Sequence, residues 1–525
     1  MRSGLTGSLE LRYNDQMLEG SIEHQLKFQK LVWLVVILLG AAACGFALAT
    51  NSYLLAVAAL GGIWLLSIPY HTTLSMYLAV ATFSSALIMP LFPGRPYVWE
   101  FAALLGWSGI TLSVFMRRYV PDFSHEIREN KWLFVGLVGY LVVLVATMFI
   151  RGFGLRILGS AQMGGRYYFQ QIACAIFPWL FVLRPLNEKT LIRLLTLQCL
   201  LTTTFLITDF VLALASERLY IIFQFFELSG DAANFEIRAM RFGIRRFQSL
   251  YTVGVGLFCV LLIYFNLRDF LTRKGALLLP VLATVMGVAL LSGHRYLVVI
   301  TTGVAITCAV AQRFFTLRQV TLSLLPIAMG LFVIYAFSER LPLAAQRTVS
   351  FLPGIRVDST AYADAANTVD LRRILARIGI QMIPTYFWAG RGFSVQAQEF
   401  SGQWDPTGVT GHLAQGRFYN GFIGLMINTG VFGAASMLLF MLGGTLIAFR
   451  IIRYLRQYGC EDNFSRLCSV LAGLWLANSL AFLFLHGDSE YAMKTFSLQA
   501  GLLLGCHYLL KRRLENAAAE PVSPS

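Results

Sequence analysis

Arginine is the residue type through which this chain is best equipped to do chemistry. Thirteen arginines lie in stretches between apolar runs: Arg151, Arg156, Arg166, Arg238, Arg241, Arg245, Arg246, Arg295, Arg372, Arg373, Arg377, Arg391 and Arg417. A guanidinium presents five N–H donors in a rigid planar fork that matches phosphate oxygens. Arg295 stands between two long apolar stretches, where a charge is costly and tends to be functional. Its alternative reading is a short loop whose side chain snorkels to the interface. Arg166, in GGRYYF, and the group Arg372, Arg373 and Arg377 are candidates for the same anionic ligand. A solvated helix face is the alternative for each.

Deprotonating an acceptor hydroxyl requires a His, Asp or Glu beside the reacting oxygen. Of seven histidines, His294, His412 and His486 fall on the expected outer side of the membrane. His412, shortly before the apolar run that opens near Gly421, is the candidate base. His294 adjoins Arg295, and His486 forms an acidic cluster with Asp488 and Glu490. Each can equally be a polar loop histidine. Asp209 lies inside an apolar run, so it either contacts a ligand or pairs with an arginine in the bundle. The catalytic set is therefore His412, Arg295, Arg372 and Arg373. The substrate-binding set is Arg166, Arg377, Arg391, Arg417, Tyr419, Asn420, His294 and Asp209.

No metal or cofactor is expected. HExxH, a DxD pair and a tight His/Asp cluster are absent from the sequence, as are the P-loop and Rossmann fingerprints. The eight cysteines are scattered, without CxxC, and read as small packing residues. These absences argue against an ATP-driven pump.

The elements that must position these residues are membrane helices. Across 525 residues, 57% are hydrophobic and only 13% charged, with a mean hydropathy of +0.65. Soluble domains are about 25% charged, so an ordinary cytosolic enzyme and a disordered chain are both excluded. The net charge of +15 sits between apolar runs, which points to membrane topology and anionic ligands rather than nucleic acid. A span needs about 20 apolar residues. Fourteen runs qualify, from 31–49 to 495–510, and 12–14 spans are expected. The run 169–183 is short, and 275–292 is parted from 296–311 only by Gly293, His294 and Arg295.

With the N-terminus cytoplasmic, Lys and Arg concentrate on the cytoplasmic side, for example Arg117, Arg118, Arg450, Arg453, Lys511 and Arg512, as the positive-inside rule requires. The expected organisation is a cytoplasmic tail (1–30), a bundle of about eleven spans (31–337), a periplasmic segment (338–420), three last spans (421–510) and a cytoplasmic tail (511–525). Both termini are then cytoplasmic. The 338–420 segment is too long for a plain connection. Its stretch 370–385 reads as an amphipathic helix ending near Pro384, suited to lying along the membrane or covering a cavity.

Three stretches carry a family resemblance: Ser292-Gly-His-Arg295; RRILARIGIQMIPTYFWAGRGF, within Asp370–Phe393; and the run from Tyr419-Asn-Gly through Gly430 to Gly433. In this order, with a long outer segment before the last spans, the chain resembles the bacterial O-antigen ligase and Wzy-type polysaccharide polymerase superfamily. The resemblance covers roughly 275–450 most clearly. It implies an all-α polytopic fold with a GT-C-like glycosyltransferase architecture in a bacterial inner membrane.

The implied reaction is metal-independent transfer from an undecaprenyl-diphosphate-linked glycan at the periplasmic face. The polymerase extends a lipid-linked repeat unit; the ligase passes the chain to lipid A-core. A membrane lipid environment, a chain-length regulator and a flippase are the implied partners. One departure matters. Tyr419 stands where the ligases carry a histidine before Asn420, and Tyr is a poor base at its ordinary pKa near 10. Either His412 substitutes or no histidine base is used, and the polymerase ranks ahead of the ligase. A lipid-linked glycan transporter and a non-catalytic membrane protein are the other readings.

Overall fold

The structure, a computed structural model, describes residues 71–90, 95–115, 124–154, 162–183, 186–214, 217–227, 244, 246–393, 395–396, 409–414 and 416–519, with scattered positions between 35 and 62. The expected tail 1–30 and the arginines Arg156, Arg238, Arg241 and Arg245 lie outside the described residues. The chain divides into two units, Met1–Thr72 and Thr73–Ser525. In the first, Leu38, Leu39 and Phe46 are helical and exposed.

The second unit holds helices α1 (Thr73–Thr82), α2 (Val98–Phe115), α3 (Ser124–Glu129), α4 (Lys131–Arg151), α5 (Gly165–Cys174) and α6 (Ile176–Leu183). Then come α7 (Glu188–Leu201), α8 (Thr204–Leu214), α9 (Ser249–Tyr264), α10 (Gly275–Leu290), α11 (Tyr296–Ala311) and α12 (Leu317–Phe337). The last are α13 (Leu343–Val349), α14 (Ser359–Tyr386), α15 (Val409–Ala414), α16 (Gly421–Tyr458), α17 (Asn463–Phe484) and α18 (Ala492–Ala519). Two-residue strands β1 (Gln162–Met163) and β2 (Val395–Gln396) pair antiparallel.

Among the described residues, five helical stretches are long and apolar enough to cross a membrane: α4, Glu188–Leu214, Leu317–Arg340, α16 and α17. Four shorter apolar helices, α1, α9, α10 and α11, accompany them. The protein is thus an all-helical, multi-pass membrane protein. Of the fourteen expected runs, 31–49 and 52–69 fall largely outside the described residues, and among the rest apolar composition does not report helix breaks. The run 169–183 is two helices, α5 and α6, parted at Ala175. The pair 275–292 and 296–311 is indeed two helices of 16 residues, each about 24 Å long. α18 has 28 residues but carries Lys494, Gln499 and His507, so it falls short of a uniformly apolar span.

Packing centres on α16, which runs along α4 and α17. Gly136 on α4 and Gly443 on α16 sit where a Cβ would strike the partner's backbone, at Phe440 and Leu133 respectively. Small residues that let helix backbones approach replace the hydrophobic drive that lipid cannot supply. Trp475, Phe440 and Phe496 fill the centre, all fully buried. By contrast α12 buries no residue, the pattern of a helix whose apolar side chains face lipid.

The charge rule grouped the start of α4, the start of α7, the junction of α16 and α17, and the end of α18 on one side. These do meet at one end of the bundle. Lys511 pairs with Glu129 at 2.9 Å, and Arg513 pairs with Asp462 at 2.6 Å and with Glu188.

The 338–420 segment holds α13, α14 and α15. The expected helix at 370–385 starts eleven residues earlier, at Ser359, where the Asp358 side chain accepts from Thr360 N at 2.7 Å. It ends at Tyr386, near Pro384 as expected, with the proline inside its last turn. Its expected apolar face is buried only in part: Leu375 is covered, whereas Ile374 and Ile380 are exposed. Gly379 gives the close approach to Ile423 and Phe418 by which α14 packs on the start of α16.

Candidate functional site

The Ser292–Arg295 turn joins α10 to α11. Gly293 has φ +72°, and a Cβ there would also meet Arg246 Cδ at 2.8 Å, so the turn requires glycine. Two arginines grip it. Arg246 packs on Gly293. Arg347, from α13, donates to the Gly293 carbonyl and, through Nη2, to Thr368 Oγ1 at 2.9 Å. Thr348 Oγ1 donates to the Leu290 carbonyl at 3.0 Å. Asp364 of α14 anchors both guanidiniums, at 2.7 Å from Arg246 Nη2 and 2.5 Å from Arg347 Nε, and all three side chains are buried. Arg295, so presented, donates Nη2 to Ser350 Oγ at 2.9 Å.

The opposite wall rests on a break in α16. Gly430 has φ +69°, and a Cβ there would stand 2.5 Å from the Trp388 carbonyl. The break frees helix carbonyls, which must find other donors. Arg391 N donates to Ile427 O at 2.6 Å and Gly392 N to Asn428 O at 2.9 Å, while Val431 N turns to Phe387 O at 2.7 Å. The Gly-Arg-Gly turn is thereby docked into the gap. From it, Arg391 Nη1 donates to Leu413 O at 2.7 Å, which holds α15 and its His412.

His412 Nδ1 lies 3.2 Å from Tyr419 Oη. Tyr419 adopts φ +51°, a left-handed conformation that costs a non-glycine residue free energy. Its ring stacks on His486, with centroids 5.4 Å apart, and Arg372 lies 5.6 Å over it. Asn420 caps α16, its Oδ1 accepting from Ile423 N at 3.0 Å.

Behind this wall, Asn428 Nδ2 donates to Ser489 Oγ at 2.7 Å, and Arg417 Nε donates to Glu490 Oε1 at 2.8 Å. Burial, and then the neighbouring Asp488 carboxylate, push the Glu490 carboxyl up to about 8, with Arg417 pulling the other way. Burial alone would depress Arg417, but the Glu490 carboxylate outweighs it and holds the guanidinium above its ordinary value.

Between the walls lies a cavity of about 520 Å³, lined by Arg246, Arg295, Arg347, Arg372, Arg417, His294, His412, His486, Tyr419 and Asp488, among others. Five guanidiniums face three carboxyls, Asp364, Glu490 and Asp488, an excess of two positive charges, or three when Glu490 holds its proton. Among the described residues the cavity thus carries a net positive charge.

Six residues of the expected catalytic and substrate-binding sets meet here, His294, Arg295, Arg372, His412, Arg417 and Tyr419, together with Arg246 and His486 from the wider group of arginines and histidines. The others do not line the cavity. Arg373 is exposed and pairs with Asp370 at 3.3 Å, and Arg377 is exposed on the same helix stripe. Arg391 and Asn420 act on the backbone, as a brace and a cap. Arg166 lies 5.1 Å over the Tyr97 ring and 3.9 Å from Glu100. Asp209 accepts from Ser249 N at 3.1 Å and from Ser249 Oγ, at the start of α9. Sequence reasoning missed Arg347 and Asp364. The signal for Arg347 was faint: a lone Arg in the small-residue run LAAQRTV, within the same outer segment. No known family model matches the chain, and no curated protein matches it.

Proposed function

We propose that this cavity binds the diphosphate of a polyprenyl-linked glycan, and that the protein is a membrane glycosyltransferase polymerising lipid-linked repeat units at the outer face of a bacterial inner membrane. The observation that supports it is the convergence of five arginines with three histidines and Tyr419 on one cavity at one end of a helical membrane bundle. Arginine forks stabilise the charge that develops on a departing diphosphate. A histidine within reach of the acceptor receives its proton. The acceptor oxygen bonds to the anomeric carbon, the bond from that carbon to the diphosphate breaks, and the electron pair stays on the phosphate.

The His412–Tyr419 contact bears on the departure at Tyr419. The histidine lacking before Asn420 in sequence is present in space, hydrogen-bonded to the tyrosine that replaces it. A ligase would use the same donor chemistry; the tyrosine favours the polymerase. The test is complementation of a deletion strain with Arg295→Ala and Arg372→Ala. Both are expected to abolish glycan extension at normal protein level. Normal chain length in either variant would remove that arginine from the site.

A further inference from the structure

A second cavity, of about 510 Å³, opens against the first and shares with it His294, Tyr296, His486, Asp488 and Tyr491. Its chemistry is different. Among the described residues no arginine lines it. The one ammonium among them, Lys494, lies 4.5 Å over the Tyr97 ring and is balanced by Glu227 and Glu100, so these residues leave no surplus charge for an anion.

Helical spacing writes a mixed stripe into its walls. Leu195, Gln198, Cys199 and Thr202 line it from α7 and its end, and Thr495, Leu498, Gln499 and Leu502 from α18, each at the i, i+3, i+4, i+7 rhythm of one helix face. Aromatic rings contribute as well, among them Tyr251, Tyr296 and Phe482. Tyr296 Oη donates to Asn478 Oδ1 at 3.2 Å, and Gln198 Nε2 donates to Ser84 Oγ at 3.0 Å.

Two amide oxygens, Gln198 Oε1 and Gln499 Oε1, are buried and accept no hydrogen bond among the described residues. An unmet buried acceptor is costly, and apolar packing would not have selected glutamine at either position. A hydrocarbon tail offers these amides nothing, and an anion finds no free cation. A neutral ring that carries hydroxyls at its edge and C–H groups on its faces satisfies both the amides and the aromatic rings. The volume is that of an ordinary small-molecule site, about 300–1,000 Å³.

We propose that the inner cavity binds the acceptor saccharide, with its reacting hydroxyl directed at the shared wall, where His486 takes the proton. This rests on the glycosyltransferase reading and deepens it. His486 lines both cavities and is held between Tyr419, stacked at 5.4 Å, and Tyr296, edge-on at 5.9 Å; His412 lines only the outer one. The donor diphosphate then occupies the arginine cavity, the sugar hydroxyl comes from the other side, and the two meet at His486. The oxygen–anomeric carbon bond forms, the anomeric carbon–phosphate oxygen bond breaks with its electron pair on the diphosphate, and the hydroxyl proton passes to a ring nitrogen of His486.

The test uses the full chain in lipid nanodiscs and a panel of diazirine-bearing methyl glycosides of glucose, galactose, rhamnose and N-acetylglucosamine. After irradiation, crosslinked peptides are mapped by mass spectrometry. At least one glycoside is expected to label the 195–202, 251–259 or 494–502 segments. That labelling should fall about tenfold with excess unmodified glycoside and in the Gln198→Leu/Gln499→Leu double variant, a change of about 1.4 kcal/mol in binding. Labelling confined to the arginine cavity, or none from any glycoside, overturns the proposal.

His486→Ala should retain glycoside labelling and lose glycan extension in cells; retained extension removes His486 as the proton acceptor. Inorganic pyrophosphate is read separately, as a rise in melting temperature that Arg295→Ala abolishes. Its failure counts against the anion site, not against the saccharide cavity.

Discussion

Asp364→Asn is the substitution with the most to reveal. One carboxylate holds two buried guanidiniums, Arg246 at 2.7 Å and Arg347 at 2.5 Å, with the three side chains only 5–7% exposed. The amide keeps the shape and loses the charge, leaving two buried cations without their counter-ion. Removing one partner of a buried pair costs about 3–5 kcal/mol, and little solvent is present to screen the loss. The Gly293 turn, gripped by both arginines, should loosen as well.

The assay is thermal unfolding in detergent, followed by tryptophan fluorescence, with denaturant titration for the free energy. A companion triple variant, Arg246→Met/Arg347→Met/Asp364→Leu, removes the whole cluster. Replacing a buried ionic triad by apolar residues of similar size is often neutral or stabilising, so the triple variant should recover most of the stability. On the proposed function it should still fail in glycan extension, because the cavity loses two guanidiniums. Asp364→Asn within about 0.5 kcal/mol of wild type, the range of ordinary surface changes, would refute the ionic-clamp reasoning. A triple variant that extends glycan normally would refute the role of these arginines in the anion site.

Three further outcomes follow from the geometry. Gly430→Ala forces a Cβ into a positive-φ position against the Trp388 carbonyl and should destabilise by about 1–3 kcal/mol; unchanged unfolding would mean the break is not needed. Arg391→Ala, by freeing α15, should reduce glycan extension while leaving the pyrophosphate-induced melting shift intact; loss of that shift would place Arg391 at the anion itself. Glu490, raised from 4.5 to about 8, binds its proton more tightly when folded. Its contribution to stability is complete below pH 4.5, is lost as pH rises toward 8, and changes no further above that, with a slope of at most about 1.4 kcal/mol per pH unit. Glu490→Gln should flatten that part of the melting curve against pH; an identical pH dependence in the two proteins would contradict it.

Local signals were legible in the sequence and distant pairings were not. His294 and Arg295 were readable because a Gly-His-Arg interruption of two apolar runs must be a turn. Arg372 was readable as part of a helix, but grouping it with Arg373 and Arg377 ignored the 3.6-residue period. Arg373 and Arg377 stand four apart on one stripe, and only Arg372 turns to the cavity. Arg347 was barely legible and Asp364 not at all, because their meaning lies in each other and in Arg246, 118 residues from Asp364. Asp209 drew notice as a charge in an apolar run, but its contact with Ser249 at the start of α9 is one that no pattern near it announces. The fold class followed from composition. The number of long spans did not, because a break such as the one at Ala175 leaves no mark on apolar composition.

The most direct test of the central claim is made in a strain deleted for the gene, with free lipid-linked glycan and surface glycan each resolved by chain length. The polymerase reading predicts that long chains disappear from both pools while single repeat units persist. Long chains at wild-type length and amount would contradict the glycosyltransferase reading, and long lipid-linked chains that accumulate without reaching lipid A-core would contradict polymerisation in favour of ligation.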